Sequence, residues 1–222
     1  VSFEINGPEL IGLIGPNGAG KTTLTNVLDG AIKPNSGTVY LGGNRIDQLQ
    51  PFEVARHGLG RTFQVTRSFR RMTVLENLMV PALALDQGLS RSEIDDKAME
   101  VLEFLTVDHL RNEYAKSLSG GQQKLLELGR LLMLNPDVII LDEPLAGVHP
   151  KLMEIIYKYI ERVNNDGTAI ILISHQMDSI FSLCKRLLVL NYGDLIADGT
   201  PDVVKNDPTV IEAYLGSDDE ED

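Results

Sequence analysis

The sequence predicts an α/β fold in which a mostly parallel β-sheet carries an inserted helical subdomain. Apolar runs of strand length alternate with helical patterns over most of the chain, which is typical of parallel sheets joined by helices. A glycine-rich turn directly follows the first strand pattern. Residues 72–117, in contrast, show helical patterns only.

Three apolar runs are expected to be buried strands: Leu10–Ile14, residues 138–141 and Ala169–Ile173. Continuous apolar runs of this length are typical of strands that are covered on both faces. Pro150 at a first helical turn and Gly167 beyond the last turn bracket a helix. The runs 187–190 and 195–197, separated by turn residues 191–194, predict a β-hairpin.

The helical stretch contains two residue pairs with the spacing of a capping box, Thr73 with Glu76 and Ser90 with Glu93. Apolar residues then repeat on one helical face at positions 94, 98, 101, 102 and 105. We therefore assign residues 71–133 to a helical subdomain and residues 1–70 and 134–216 to the α/β core. The acidic residues 217–222 are expected to form a disordered tail.

The composition limits the classes of function and partner. The 222 residues carry a net charge of −12, which disfavours nucleic acid or an anionic lipid surface as the main partner. The single cysteine, Cys184, excludes a disulfide framework and a Cys-rich zinc site. No apolar run approaches the roughly 20 residues that span a bilayer. Since residues 1–5 already show a strand-like alternation, we expect the N-terminal strands to be truncated.

The glycine-rich turn matches the pattern G-x-x-x-x-G-K-[ST] of the phosphate-binding P-loop. Glycines allow backbone N–H groups to surround phosphates, and the N-terminus of the following helix adds a favourable dipole. Lys21 is expected to reach the β- and γ-phosphates, and the Thr22 hydroxyl to bind Mg²⁺. The alternative is a structural turn beside a surface lysine. The predicted phosphate-binding residues are Gly15, Pro16, Asn17, Gly18, Ala19, Gly20, Lys21, Thr22 and Thr23.

Two carboxylates, Asp142 and Glu143, follow the strand at residues 138–141. Ligands of open α/β sheets bind at the carboxyl ends of the strands, so both side chains are expected near the P-loop ligand. Asp142 fits the Walker-B role of holding Mg²⁺, and Glu143 fits that of a general base that activates or orients the attacking water. A solvated acidic pair at the start of a loop is the alternative.

Residues 118–122 introduce a second helix N-terminus that suits an anion. Ser119 can cap this helix, while Gly120 and Gly121 let an anion approach bare N–H groups. In isolation such a segment is a flexible linker, but here an apolar helix follows it directly. We therefore predict a second phosphate-binding segment, without a lysine, made of Ser119, Gly120, Gly121 and Gln122.

The order of these motifs, together with Gln64 and His175, resembles the nucleotide-binding subunits of ATP-binding-cassette (ABC) transporters along nearly the whole chain. A single Gln is usually solvated and a single His structural, so these two residues gain weight only from that order. The resemblance implies that the cofactors are ATP and Mg²⁺ on a P-loop NTPase core. It implies that Gln64 contacts Mg²⁺ and water, and that His175 is the switch histidine near the γ-phosphate. It further implies a head-to-tail dimer in which residues 119–122 of one chain cover the nucleotide of the other.

Four stretches resemble the ATPases of branched-chain amino-acid importers: residues 61–65, 72–78, 142–148 and 206–216. The lipopolysaccharide-export ATPases share parts of the last two stretches and are the nearest alternative. Three departures stand out. The aromatic residue that normally stacks on adenine upstream of the P-loop is not in the chain, so we expect weak ATP affinity. His149 stands where the D-loop usually holds Asp, and the signature motif is complete although many members of this subfamily have a degraded one.

The resemblance implies a peripheral ATPase subunit on the cytoplasmic face of a cell membrane. Its expected partners are transmembrane permease subunits and a second, identical or paralogous cassette, but no nucleic acid. Alternatives from other classes are a soluble ABC ATPase of DNA repair or translation, and a regulatory module that binds nucleotide without turnover.

Residues 56–71 form a basic island that contains arginines but no acidic residue. We expect its last three arginines, Arg67, Arg70 and Arg71, to contact the permease. The alternative is an arginine face that is only solvated. The island consists of Arg56, Arg61, Arg67, Arg70 and Arg71.

Overall fold

The computed structural model describes residues 1–62, 68–85 and 88–215. Its strands, in chain order, are β1 (Leu10–Ile14), β2 (Tyr40–Leu41), β3 (Asn44–Arg45), β4 (Leu59–Arg61), β5 (Val138–Asp142), β6 (Ala169–Ile173), β7 (Arg186–Asn191) and β8 (Asp194–Gly199). Six of them form one sheet in the order β4–β5–β6–β1–β7–β8, in which only β8 is antiparallel to its neighbour. The mostly parallel sheet and the hairpin after residue 186 are thereby confirmed.

The helices of the described residues are, in chain order, α1 (Lys21–Leu28), α2 (Pro51–Arg56), α3 (Val74–Leu85), α4 (Arg91–Phe104), α5 (Gly120–Leu134), α6 (Pro150–Asn165), α7 (Met177–Leu183), α8 (Pro201–Lys205) and α9 (Pro208–Leu215). As predicted, α6 begins at Pro150, where the missing N–H of proline costs no helical hydrogen bond. Within the described part of the chain, no helix has the length and apolar character needed to cross a membrane.

The sheet is covered on both faces, which explains why its strands read as continuous apolar runs. Along β1, Leu10 and Ile14 point into the larger hydrophobic cluster, and Ile11 and Leu13 into the smaller one. The residues of β5 and β6 alternate between the same two clusters. The larger cluster continues into α3, α4 and α5, so the helical stretch shares one core with the sheet.

Helices α3, α4 and most of α5 occupy the stretch that the sequence assigns to a helical subdomain, although its boundaries stay a prediction. Both predicted capping boxes are present: Thr73 and Glu76 before α3, and Ser90 and Glu93 at the start of α4. α3 packs against α4 and α5. Gly129 of α5 permits this approach, because a Cβ there would lie 2.8 Å from a methyl group of Leu78.

The strand predicted from the alternation of residues 1–5 is not formed, which corrects the sequence-based expectation. The alternation is nevertheless real, since Phe3 and Ile5 are half-buried against the smaller hydrophobic cluster. The carbonyl of Glu4 accepts a hydrogen bond from the Arg186 guanidinium at 2.8 Å. Apolar contacts and this side-chain bond, rather than a strand ladder, hold the segment against the sheet.

The register of the sheet brings the carboxyl ends of four strands to one edge. Ile140 of β5 lies beside Arg61 of β4 and Ile171 of β6, and Asp142 lies beside Ile173. β1 is the next strand on the other side of β6. The residues that follow these strands therefore meet at the edge where ligands of open α/β sheets bind.

Candidate functional site

A cavity of about 500 Å³ lies at this edge, between the glycine-rich turn and the ends of β5 and β6. The sequence predicts most of its lining from two motifs and one histidine that are far apart in the chain. The lining residues are Asn17, Gly18, Ala19, Gly20, Lys21, Thr22, Thr23, Asn26, Arg61, Asp142, Glu143, Ile173 and His175. The P-loop, the Walker-B carboxylates and His175 are thus brought together.

The P-loop leaves β1 through a glycine that no other residue could replace without rearrangement. Gly15 has φ 145°, and a Cβ at this position would collide with the carbonyl oxygen of Leu190. Gly20, which precedes α1, has φ 100° and is left-handed. These conformations turn the chain so that the N-terminus of α1 opens on the cavity, as phosphate binding requires.

Two neighbouring segments support the P-loop from outside the cavity. The N–H of Gly193, in the turn between β7 and β8, donates to the carbonyl of Ala19 at 2.9 Å. Tyr214 of α9 shares a hydrogen bond between its hydroxyl and the backbone of Gly15, which offsets part of the rise that burial causes in the pKa of Tyr214. The predicted hairpin and the C-terminal helix therefore fix the loop backbone.

The ammonium group of Lys21 is folded onto the loop itself. Its Nζ donates to the carbonyls of Gly15 at 2.6 Å and Pro16 at 2.9 Å. Burial lowers the pKa of Lys21, and the nearby carboxylates of Glu143 and Asp142 oppose that shift. A cation in this position, close to the open N-terminus of α1, suits a phosphate ligand.

Asp142 ends β5 with its backbone and side chain held by residues of β4 and of the segment after it. Its N–H donates to Oγ1 of Thr62 at 2.9 Å, and its Oδ2 lies 3.4 Å from Nη2 of Arg61. Thr62 is fully buried. The sequence predicts Asp142 but neither Thr62 nor the role of Arg61, because the pairing of β4 with β5 leaves no local sequence signal.

Arg61 belongs to the basic island in the sequence, but its side chain is buried beside the cavity instead of lying on the surface. Its side chain is 6% exposed and donates to Oδ2 of Asp29 at 2.6 Å and to Oδ1 of Asn26 at 2.7 Å. Arg56, Arg70 and Arg71 are exposed, whereas Arg67 lies outside the described residues. The surface cluster is therefore smaller than the sequence predicts, and one arginine belongs to the cavity.

Glu143 is held at the carboxyl end of β5 in a strained backbone conformation. It has φ 49°, which is uncommon for a residue with a side chain, and its N–H donates to the carbonyl of Ile173 at 2.9 Å. Its Oε1 accepts from the N–H of His175. Burial raises the pKa of Glu143, while the charge and the N–H of His175 lower it. These contacts hold the carboxylate at the cavity, and burial raises its proton affinity, a combination that suits a general base.

The second predicted anion segment forms a helix N-terminus but does not line the cavity. Ser119 caps α5 with a complete capping box, in which Gln122 donates its N–H to Ser119 Oγ and its Oε1 accepts from the Ser119 N–H. None of residues 119–122 is among the cavity residues above. The predicted role of residues 119–122 in binding nucleotide therefore stays a prediction.

Two further predicted residues have different outcomes. His149, in the expected D-loop position, is the N-cap of α6, and its Nδ1 accepts from the N–H of Lys151 at 3.3 Å. Gln64 lies outside the described residues, so its predicted contact with Mg²⁺ and water stays a prediction.

The cavity fits a nucleoside triphosphate with a divalent cation. It offers bare N–H groups at a helix N-terminus, one lysine, the Thr22 hydroxyl and a single Walker-B carboxylate at the end of β5. Within the described ranges, no cluster of three or more His, Cys, Asp or Glu side chains could bind a metal by itself. A hard cation held by one hydroxyl, one carboxylate and the phosphates of its ligand matches this donor set, as for Mg²⁺.

Sequence comparisons agree with this geometry. A family profile described as "ABC transporter" matches residues 1–146, and one described as "Branched-chain amino acid ATP-binding cassette transporter" matches residues 195–220. The chain is 40% identical to the high-affinity branched-chain amino acid transport ATP-binding protein LivG of Salmonella typhimurium, over 97% of this chain and 90% of that protein. It is 37% identical to the lipopolysaccharide export system ATP-binding protein LptB of Haemophilus influenzae, over 97% and 89%.

Solved structures share the fold. The ADP conformation of MJ1267, an ATP-binding cassette of an ABC transporter, has a TM-score of 0.83 and 37% identity, over 97% of this chain and 91% of that one. The cassette MJ0796, in a dimeric post-hydrolysis state bound to ADP and Pi, has a TM-score of 0.80 and 26% identity, over 89% and 88%.

Proposed function

This chain belongs to the ABC transporter family as an ATP-hydrolysing subunit, and we propose that it powers the import of branched-chain or related amino acids. The match of residues 195–220 carries the proposal, because the match of residues 1–146 is to the broad family only. The name of the Salmonella relative supports the same substrate class.

For the catalytic cycle, we propose that residues 15–23 hold the phosphates and that Lys21 exchanges its loop carbonyls for phosphate oxygens. Thr22 and Asp142, with Gln64, are the proposed Mg²⁺ ligands, and Mg²⁺ when bound neutralises charge that develops on the phosphates. The carboxylate of Glu143 accepts the proton of the attacking water. His175, which lines the cavity and has a side chain that is two-thirds exposed, is proposed to contact the γ-phosphate.

The proposed assembly is a head-to-tail pair of cassettes. The signature segment 119–122 forms the start of α5, and none of its residues lines the cavity of its own chain. A second cassette would let each signature segment complete the phosphate shell of the opposite P-loop. The dimeric state of the MJ0796 cassette supports this arrangement.

We also propose a peripheral position on the cytoplasmic face of a membrane, against permease subunits. The exposed Arg70 and Arg71 precede α3, and the segment that carries them is fixed by Asn77, whose Nδ2 donates to the carbonyls of Phe69, Met72 and Thr73. Exposed arginines on a fixed segment suit a carboxylate-bearing partner helix.

A lipopolysaccharide-export role is the second candidate. The Haemophilus relative of that name is 37% identical and is covered as fully as the Salmonella relative. The two candidates share the ATPase cycle and differ in the permease that the subunit drives.

The test is complementation in a bacterium that lacks the ATP-binding subunits of its branched-chain importer. Expression of the chain should restore uptake of labelled leucine, and the Glu143→Gln variant, produced at the same level, should not. Rescue of a lipopolysaccharide-export mutant with no leucine uptake would overturn the proposed substrate class in favour of the second candidate.

A further inference from the structure

Arg61 connects the segment that carries one proposed Mg²⁺ ligand, Thr22, with another proposed ligand, Asp142. Nη1 of its guanidinium donates to Asn26 of α1 and to Asp29, the C-cap of α1, and Nη2 faces Oδ2 of Asp142 at 3.4 Å. Thr22 and Asn26 lie one turn apart on the same face of α1, and Asp29 follows directly as the C-cap of this helix. The guanidinium therefore spans from the helix that carries Thr22 to the strand that carries Asp142.

Burial restricts the positions that the Arg61 guanidinium and its two carboxylate partners can adopt. The side chains of Arg61, Asp29 and Asp142 are 6%, 10% and 15% exposed. In such surroundings an arginine fork holds its partners in a narrow range of positions. Asp29 is further fixed because its Oδ1 accepts from the N–H of Ala31 at 3.0 Å. The anchor on α1 is thus rigid, while the longer contact to Asp142 leaves that carboxylate able to bind a cation.

We propose that Arg61 is a positioning residue that orients the Asp142 carboxylate relative to Thr22, so that the two form one Mg²⁺ site. Asp29 acts through it, although Asp29 itself lies outside the cavity. This inference rests on the proposed binding of Mg–ATP. It assigns Arg61 to the nucleotide site rather than to the permease surface.

The experiment compares the affinity of the purified chain for a fluorescent ATP analogue in Mg²⁺ and in EDTA. In the Asp29→Asn variant, we expect affinity in Mg²⁺ to fall roughly tenfold, as for the loss of one charge-assisted contact. Affinity in EDTA should stay within about twofold, because Asp29 does not touch the nucleotide cavity. The Arg61→Lys variant keeps the charge but loses the fork, and it should show the same selective loss.

Asp47→Asn is the matched control. Asp47 is also a buried aspartate paired with an arginine, Arg45, and it lies outside the cavity. This control should lose stability without any change in the ratio of the two affinities. Thermal unfolding of every variant shows whether it is folded. If Asp29→Asn does not fold, the affinities of the Arg61→Lys variant test the inference.

The inference is overturned if both variants keep the wild-type ratio, or if they lose affinity equally in Mg²⁺ and in EDTA. A wild-type chain that binds the analogue equally well with and without Mg²⁺ would instead overturn the proposed magnesium site, and this inference with it.

Discussion

The backbone N–H of His175 donates to Oε1 of Glu143 at 2.9 Å, and the imidazole Nε2 of His175 lies 3.6 Å from the same oxygen. His175, which follows β6, therefore positions the carboxylate through its backbone and lowers the pKa of Glu143 through its charge. The histidine is two-thirds exposed, whereas the Glu143 side chain is 13% exposed. The imidazole can thus respond to a ligand without disturbing the strand that holds the carboxylate.

Replacing Glu143 with Gln should abolish most turnover while nucleotide binding remains. The amide keeps the size of the side chain but cannot accept the proton of water, and general-base catalysis contributes about 10²–10⁴-fold to rate. Phosphate release should fall by at least about 100-fold, and Mg–ATP should shift the protein to a dimer in size exclusion. Glu161→Gln on the exposed face of α6 is the control. Turnover within a few-fold of wild type would exclude Glu143 as the base.

Replacing His175 with Ala should move the acid limb of the pH–rate profile to higher pH. Burial raises the pKa of Glu143, and the charge of His175 is the first effect that opposes this rise. Without the imidazole, Glu143 stays protonated to a higher pH, and only its ionised form accepts a proton. Residual phosphate release measured across pH checks the shift. An unchanged limb, or one displaced to lower pH, would contradict the coupling.

Replacing His149 with Asp should stabilise the fold. His149 is the N-cap of α6 and makes a 3.3 Å bond to the N–H of Lys151, while aspartate is among the best N-caps and complements the helix dipole. We expect a gain of about 0.5–1 kcal/mol in the free energy of unfolding, measured in urea. His149→Ala, which lacks any acceptor, should lose stability instead. A destabilised Asp variant would show that His149 has a contact beyond capping.

The adjacent glycines of the signature segment should differ in their tolerance of a methyl group. A Cβ at Gly121 would lie 2.5 Å from Cδ1 of Leu152, whereas one at Gly120 would meet no atom within 4 Å. Gly121→Ala should lower the free energy of unfolding by about 1–2 kcal/mol. Gly120→Ala should change it by less than about 0.5 kcal/mol. Urea denaturation of the pair measures both. Equal losses would mean that Leu152 moves aside freely.

The sequence predicts the parts of this molecule that depend on local chemistry. The P-loop, the capping boxes at Thr73 and Ser90, the helix cap at Ser119 and the strand before Asp142 each have a pattern a few residues long, and each is found where predicted. The approach of Asp142 and Glu143 to the P-loop also follows, because parallel strands bring their carboxyl ends to one edge, whereas the position of His175 is implied only by the family resemblance.

Other features depend on tertiary contacts that no short pattern encodes. Arg61 reads as one of five neighbouring arginines, and its burial is decided by Asp29 and Asn26, which lie more than 30 positions away. The alternation of residues 1–5 predicts a strand, yet the carbonyl of Glu4 accepts a hydrogen bond from the side chain of Arg186 on β7 instead of from a neighbouring strand. The contact of Tyr214 with Gly15 joins opposite ends of the sequence.

The contact between Tyr214 and Gly15 makes position 214 suitable for a fluorescent tryptophan. The chain has no tryptophan, so a Tyr214→Trp variant would contain a single indole, next to the first glycine of the P-loop. Its emission would depend on the backbone of that loop and on the polarity around α9. Nucleotide occupancy could then be followed by fluorescence in the unlabelled protein, at the cost of one hydroxyl.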